Sequence, residues 1–491
     1  MVLWLWLFVM GWITYVLLKR SKVLSGKVPL WLLWVVMMTP ALVWATWALV
    51  HGPDEPMPVL LAFGPFILSP LLYWILLRQQ GALKPTPQLD KPTETPTTQL
   101  KLQEPPKLLE REEEATLNHC FPWSHFALHK VEQKVQVVIC QGQLRADPAD
   151  AYQKVQTNVK SRFGDRFMLL LQEGWNGKPF FALVPNPRLK KQNTDSEKPL
   201  YRPLVAGALL LLTLLTTTLV GSEFAGVDLE SLEQLRQTPR ILLQGLPYAV
   251  ALMCILGLHE LGHFFTARYY KMQSTLPYFI PVPTFLGTFG AFIQMRSPFP
   301  NRRALFDVSI AGPIAGLVIA LPCLWWGLAH STPGVLEETS SLFNFQSLDP
   351  WQSALMAIVG RLALGERFTA EIAISMHPIA IAGYLGIIVT ALNLTPVGQL
   401  DGGHMIHASF GQRTGAIVGQ VARLLMLLLA IRQAELLLWA LLLLFVPVID
   451  EPALNDVSEL NDLRDFLTLL MLGLLVLIVI PFPSFLVNWL V

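Results

Sequence analysis

The chain has 491 residues, of which 53% are hydrophobic and 14% charged, with a mean hydropathy of +0.47. That balance, with several apolar runs of about twenty residues, excludes a soluble enzyme and describes a polytopic membrane protein. A formal net charge of +1 supplies no basic field for a nucleic-acid partner. The cysteines Cys120, Cys140, Cys254 and Cys323 contain no CxxC pair, so neither a disulfide framework nor a thiolate zinc site is expected.

Residues 1–18 are apolar, and Lys19, Arg20, Lys22 and Lys27 follow them. A cleavable signal peptide carries its positive charge before the apolar stretch, so this segment is expected to be a retained membrane helix with its N-terminus outside. Apolar spans are expected at 2–18, 29–50, 57–78, 203–220, 241–268, 304–329, 374–396, 414–431, 434–449 and 466–490, about ten transmembrane helices. Positive charges in the short loops place Lys19 to Lys27, Arg78 and Lys84 inside, and His51 to Pro56 outside. Glu223, Asp228, Glu230 and Glu233 then fall in an outer loop, and Arg268 and Lys271 return the chain inside. Arg423, within the eighth span, is expected to face the bundle or to snorkel.

The first three helices, residues 1–78, precede a polar insert. Residues 79–114 read as a disordered linker, rich in Pro, Thr and Gln over 84–107. Residues 115–187 read as a small cytoplasmic α+β domain. Val131 to Leu144 favours β structure, Asp147-Pro148 opens an amphipathic helix to about Arg162, and Phe167–Gln172 and Pro179–Val184 read as strands. This module contains no recognisable catalytic constellation, so a regulatory or substrate-handling role is expected of it. A core at 203–449 and an acidic connector with a last helix at 450–491 complete the expected organisation.

The fifth span holds His259-Glu260-Leu261-Gly262-His263. On a helix, HExxH sets two imidazoles at i and i+4 on one face, where both reach one Zn²⁺, with the carboxylate beside a metal-held water. Ionisable side chains inside a bilayer are costly and mark function. His263 lies eight residues before Lys271. At about 1.5 Å per residue, that sets the metal roughly 12 Å from the cytoplasmic end of the helix. Cys254 is expected to be a packing residue.

A proteolytic zinc centre needs a third protein ligand. The best candidate is Asp401, in Asn393-Leu394-Thr395-Pro396-Val397-Gly398-Gln399-Leu400-Asp401-Gly402-Gly403-His404. Two further spans return Asp401 to the side that carries His263. The competing reading of Asp401 is a turn aspartate before Gly402. His404 and His407 read as interfacial histidines or as groups supporting the ligands. His377, about 24 Å of helix from Asn393, reads as structural.

HExxH on one span with NxxPxxxxDG two spans later resembles the site-2 protease family of intramembrane zinc metalloproteases. The resemblance also includes Leu286-Gly287-Thr288-Phe289-Gly290-Ala291-Phe292-Ile293 and Ala311-Gly312-Pro313-Ile314-Ala315-Gly316. It implies His259, His263 and Asp401 as zinc ligands and Glu260 as general base and later proton donor. It also implies that Asn393 bonds the substrate backbone or its polarised carbonyl. Within the insert, Gly142-Gln143-Leu144-Arg145 and Phe163-Gly164-Asp165 are similar to the chloroplast branch of ethylene-dependent gravitropism-deficient and yellow-green proteins and its cyanobacterial relatives. That branch carries Gly-Asn-Leu-Arg, so Gln143 is a departure.

Residues 284–297 are too short and too broken for a span. They read as a loop, or as the re-entrant β-hairpin that the resemblance implies, with an edge that pairs an extended substrate; Gly287, Gly290 and Phe292 are its candidate contacts. The expected protein is a Zn²⁺ endopeptidase acting on transmembrane proteins in a plasma or thylakoid-type membrane. The alternatives are a catalytically silent scaffold of the same fold and a transporter, and no internal duplication supports the latter.

Overall fold

The computed structural model describes residues 29–52, 108–186, 202–227 and 239–491, apart from 135, 175–176, 283–285, 338–339 and 341–343, with scattered positions between 11 and 76. The residues of the expected 79–114 linker up to 107, most of the expected 2–18 helix, and Asp228, Glu230 and Glu233 lie outside the described residues. The chain divides into two compact units, residues 1–102 and 103–491. In the first, helix α1 (Leu30–His51) carries Pro40. Its Trp34 Nε1 donates to the Gly11 carbonyl, and its Val36 carbonyl accepts from Ser69.

The second unit opens with α2 (Arg111–Asn118) and a four-stranded antiparallel sheet in the order β1-β2-β4-β3. Strands β1 (Phe126–Lys134) and β2 (Val137–Leu144) form a hairpin. After it, α3 (Pro148–Phe163) crosses to β3 (Phe167–Glu173), which pairs β4 (Pro179–Pro185). Asp147 caps α3 by accepting from Ala149 N at 2.8 Å, the role its Asp-Pro sequence specifies. The face of α3 bearing Ala151, Tyr152, Val155 and Val159 is buried, where Tyr152 and the two valines share one apolar cluster with Phe126, Leu171 and Phe181.

The membrane core follows: α4 (Pro203–Phe224), a 3₁₀ turn at Pro239–Gly245, and α5 (Leu246–Tyr269). A short hairpin of β5 (Tyr278–Pro281) and β6 (Thr288–Phe292) leads to α6 (Arg302–Ala329), which Asn301 caps through Ala304 N. Beyond it lie β7 (Thr332–Val335), α7 (Ala354–Leu364) and β8 (Ile372–Ser375). Then come α8 (Pro378–Leu394), α9 (Asp401–Phe410), α10 (Gln412–Arg432), α11 (Leu437–Phe445), α12 (Asp462–Val479) and the one-turn α13 (Val487–Leu490). Helices α5, α6 and α8 pack together through a cluster that includes Tyr248, Ile255, Leu324 and Ile387. Leu204 and Leu211 of α4, and Leu424 and Leu428 of α10, are exposed, as a lipid-facing surface requires.

Among the described residues, five helices are long and apolar enough to cross a bilayer, or six if a bent pair counts as one. Three expected spans are therefore altered. The one at 374–396 is the 17-residue α8, opened by Pro378 with His377 capping. That at 434–449 holds a 3₁₀ turn (Ala434–Leu436) and the nine-residue α11, which ends at Phe445 because Pro447 disfavours helical backbone at Val446. The last, at 466–490, bends by 88° after Val479, where Pro481 and Pro483 interrupt the backbone. Arg423 faces the bundle and donates to the Val446 carbonyl. Cys254 is exposed rather than packed.

Candidate metal centre

His259 and His263 are one turn apart on α5 and point to the same side, and Asp401 meets them as the first residue of α9. The two Nε2 atoms are 3.2 Å apart, and the Asp401 Oδ2 lies 3.5 Å from the first and 3.3 Å from the second. Ligands about 2.0–2.1 Å from a tetrahedral zinc stand roughly 3.3 Å from each other, so these separations fit that ion. The tautomer agrees. Val308 O accepts from His263 Nδ1 at 2.7 Å, which leaves the Nε2 lone pair aimed at the other two donors. Three donor atoms converging in this way can hold one cation between them.

Glycines permit the approach. An added Cβ at Gly262 would stand 2.5 Å from the Ala311 carbonyl, so α5 and α6 touch backbone to backbone. Cβ atoms at Gly402 and Gly403 would stand 1.9 and 2.2 Å from the carbonyls of Leu394 and Gly398. The second half of NxxPxxxxDG therefore folds into a tight knot that starts α9 and presents Asp401.

Glu260 is buried beside the pair, with the backbone of Ile293 near its carboxyl. It lines a cavity of 460 Å³ together with Phe292, Asn393, Gln399 and Asp401. The Asn393 amide approaches His259 Nε2 to 3.2 Å, so it borders the centre without supplying a ligand atom of the cluster. Among the described residues, His259, His263 and Asp401 form the one metal-capable group.

The hairpin residues divide. Phe292 is exposed and lines the cavity. Gly290, at φ +97°, would have open space about an added Cβ and does not line the cavity. Gly287, at φ +80°, turns away: Thr216 Oγ1 donates to its carbonyl at 2.7 Å, and a Cβ there would stand 2.5 Å from Thr217 Cα. The residue serves close packing on α4. The hairpin itself begins earlier than expected, since β5 covers Tyr278–Pro281.

His404 and His407 are held inside the protein by a shared carboxylate. His407 is fully buried and His404 mostly so, and both donate to Asp450. Sequence reasoning missed this cluster, because Asp450 and Asp456 lie more than forty residues downstream. The available signal was two histidines just after Asp401 and two aspartates just after an apolar run.

Residues 247–431 match the model of peptidase family M50, and residues 115–192 match that of the EGY3 middle domain. The chain is 30% identical over 373 residues to "Probable zinc metalloprotease EGY1, chloroplastic" of Arabidopsis thaliana, covering 69% of this chain and 65% of that protein. It is 28% identical to "Probable zinc metalloprotease EGY2, chloroplastic" of the same plant, over 70% of this chain and 60% of the relative. To "Probable zinc metallopeptidase EGY3, chloroplastic" it is 28% identical over 47% of this chain and 42% of the relative. The chain thus spans less than two thirds of the length of the curated relatives it matches. No solved structure matches it.

Proposed function

We propose that this chain, which belongs to peptidase family M50 through residues 247–431, is a zinc endopeptidase that cuts membrane-embedded proteins. The observation that carries the reading is the two-imidazole, one-carboxylate cluster at tetrahedral spacing, with Glu260 beside it in a cavity among apolar helices. Zn²⁺ is the expected cofactor, and His259, His263 and Asp401 would hold it. When bound, it supplies Lewis acidity to the scissile carbonyl and to water.

The protein's own residues do the rest. Glu260 takes the proton of the attacking water and returns it to the departing amine. Asn393 donates its amide N–H towards the carbonyl oxygen as charge develops there. The β6 segment ending at Phe292 lies along the cavity and offers backbone groups that hold a substrate extended. In this reading the 115–187 insert and the centre share the cytoplasmic side of a plasma or thylakoid-type membrane. The domain limits are 1–78, 79–114, 115–187, 203–449 and 450–491, except that α2 (Arg111–Asn118) and buried Leu109 join the insert rather than the linker, with about ten helices in all.

The test is Glu260→Gln in the full chain, with a transmembrane reporter in the same vesicles. The variant is expected to keep its metal and to lose cleavage. Persisting turnover would overturn the reading in favour of a silent scaffold contaminated by another protease.

A further inference from the structure

The segment between α11 and α12 is an extended strap that touches three parts of the molecule in ten residues. At its start the Pro447 carbonyl lies against Gly398, which has φ +50° and where a Cβ would stand 1.6 Å from that oxygen. Asp450 follows. Its Oδ2 accepts from His404 Nδ1 at 2.8 Å and from His407 Nδ1 at 2.7 Å, and its carbonyl accepts from Gln412. His407 Nε2 donates on its other side to Asp456, at 3.0 and 3.1 Å, and Arg302 Nε reaches the same carboxylate at 3.3 Å. With both ring nitrogens donating to carboxylates, His407 is an imidazolium, so two buried cations answer two buried anions.

The other side of the strap belongs to the insert. Leu171 N of β3 donates to Leu454 O at 2.7 Å, and Asp456 N donates to Leu171 O at 2.9 Å. Gln172 Nε2 donates to Ala453 O, and Asn455 Nδ2 to Pro148 O. Leu454 and Asn455 also donate to the carbonyls of Phe299 and Pro300, just before α6. The strap is therefore a strand partner of the insert and a source of counter-charges for α9.

Asp401, His404 and His407 are spaced three residues apart on one ten-residue helix. A helix of that length is marginal by itself, so its orientation is set by what holds it. The other two ligands ride on the 24-residue α5, which needs no such support. Buried ion pairs contribute little net stability and can fix geometry instead.

We propose that Asp450 and Asp456 are positioning residues for Asp401, acting through His404 and His407, and that the strap makes the centre responsive to the insert through β3. The proposal rests on the metalloprotease reading above.

The experiment uses the full chain in detergent, stripped with a chelator and titrated with Zn²⁺ and with Co²⁺, whose visible spectrum reports coordination geometry. Three variants are compared with wild type: Asp450→Asn, the insert-side pair Gln172→Ala with Asn455→Ala, and Asp307→Asn. The last breaks an ion pair with Arg464 away from α9. Asp450→Asn is expected to weaken metal binding by about tenfold, the lower end of what removing a direct partner of a ligand costs, and to alter the Co²⁺ spectrum. The insert-side pair should shift both in the same direction by less, and Asp307→Asn should leave both unchanged. Wild-type affinity and spectrum in Asp450→Asn, or an equal loss in Asp307→Asn, overturns the positioning role. An unaltered insert-side pair overturns the coupling to the insert. If Asp450→Asn does not fold, His404→Asn takes its place, since that ring is 18% exposed and its loss strands no buried cation. A wild-type chain that binds no metal overturns the metalloprotease reading itself, a different result from any of these.

Discussion

Gly312 of α6 faces His263 of α5 so closely that a Cβ would stand 2.1 Å from the ring's Nε2. One turn on, Gly316 bears the same relation to His259, with its Cβ position 3.3 Å from Nδ1. The two glycines form the pocket wall against which both imidazoles rest. Gly312→Ala is therefore expected to displace His263 and abolish metal binding while the helices still pack. Gly316→Ala should only weaken it, because 3.3 Å can be relieved by a small ring shift. Metal content of the purified variants separates the two outcomes, and equal retention in both would show that the rings have room to move.

Asn393 lies against His259 but contributes no atom to the ligand cluster. Asn393→Ala is expected to keep its metal and to lose about 10²–10³-fold in kcat, the usual cost of removing one oxyanion donor. Metal loss in parallel with activity would make Asn393 a support for His259 instead.

The buried cluster on α9 gives a pH dependence of stability. Burial opposes the charge of His407, but its bonds to Asp450 and Asp456 prevail and raise it to about 9 from 6.5. Burial likewise opposes the charge of Asp450, and the bonds from His404 and His407 more than offset it, bringing the carboxyl to about 2 from 3.8. A raised imidazole stabilises fully below its unfolded value and loses that contribution as pH climbs towards 9. A lowered carboxyl stabilises above its unfolded value and loses that contribution as pH falls towards 2. Thermal unfolding in detergent should thus be highest between about pH 4 and 6.5 and should decline through pH 9. His407→Asn should flatten the alkaline decline, and an unchanged slope would rule the cluster out as its source.

A second polar clasp joins the ends of three helices. Arg464 donates to Asp307 at 2.8 and 2.7 Å, and Tyr270 donates to the same carboxylate at 2.5 Å. Arg464 and Asp307 are each about a quarter exposed, so water weakens the pair. Arg464→Ala is expected to cost about 1 kcal/mol of unfolding free energy and to leave the metal in place. A loss of metal would show that the clasp reaches the centre.

Much of the fold follows from chain-local rules. Asp147-Pro148 starts α3 because the aspartate carboxylate accepts from the free N–H groups of Ala149 and Asp150, while Pro148 at the first helical position has no N–H to leave unpaired. The apolar lengths of α4, α5 and α6 announce membrane helices because each matches the roughly 30 Å of bilayer hydrocarbon. Less legible were α11 and the end of α12, where prolines inside apolar runs override hydropathy. Gly287 is ambiguous by sequence, because a glycine in a hairpin serves close packing or substrate equally well; in the structure it packs against Thr217 of α4.

By itself, the sequence determined that two histidines and a glutamate share one helical face inside an apolar span, since i, i+4 spacing is a property of the helix alone. It also marked Asp401 as the distant residue that topology returns to them. The tertiary structure alone decided how Asp401 is held. The strap with Asp450 and Asp456, the insert strand behind it and the glycines beneath the imidazoles are long-range contacts. No local periodicity encodes them, because each depends on backbones brought within van der Waals distance by the packing of the whole core.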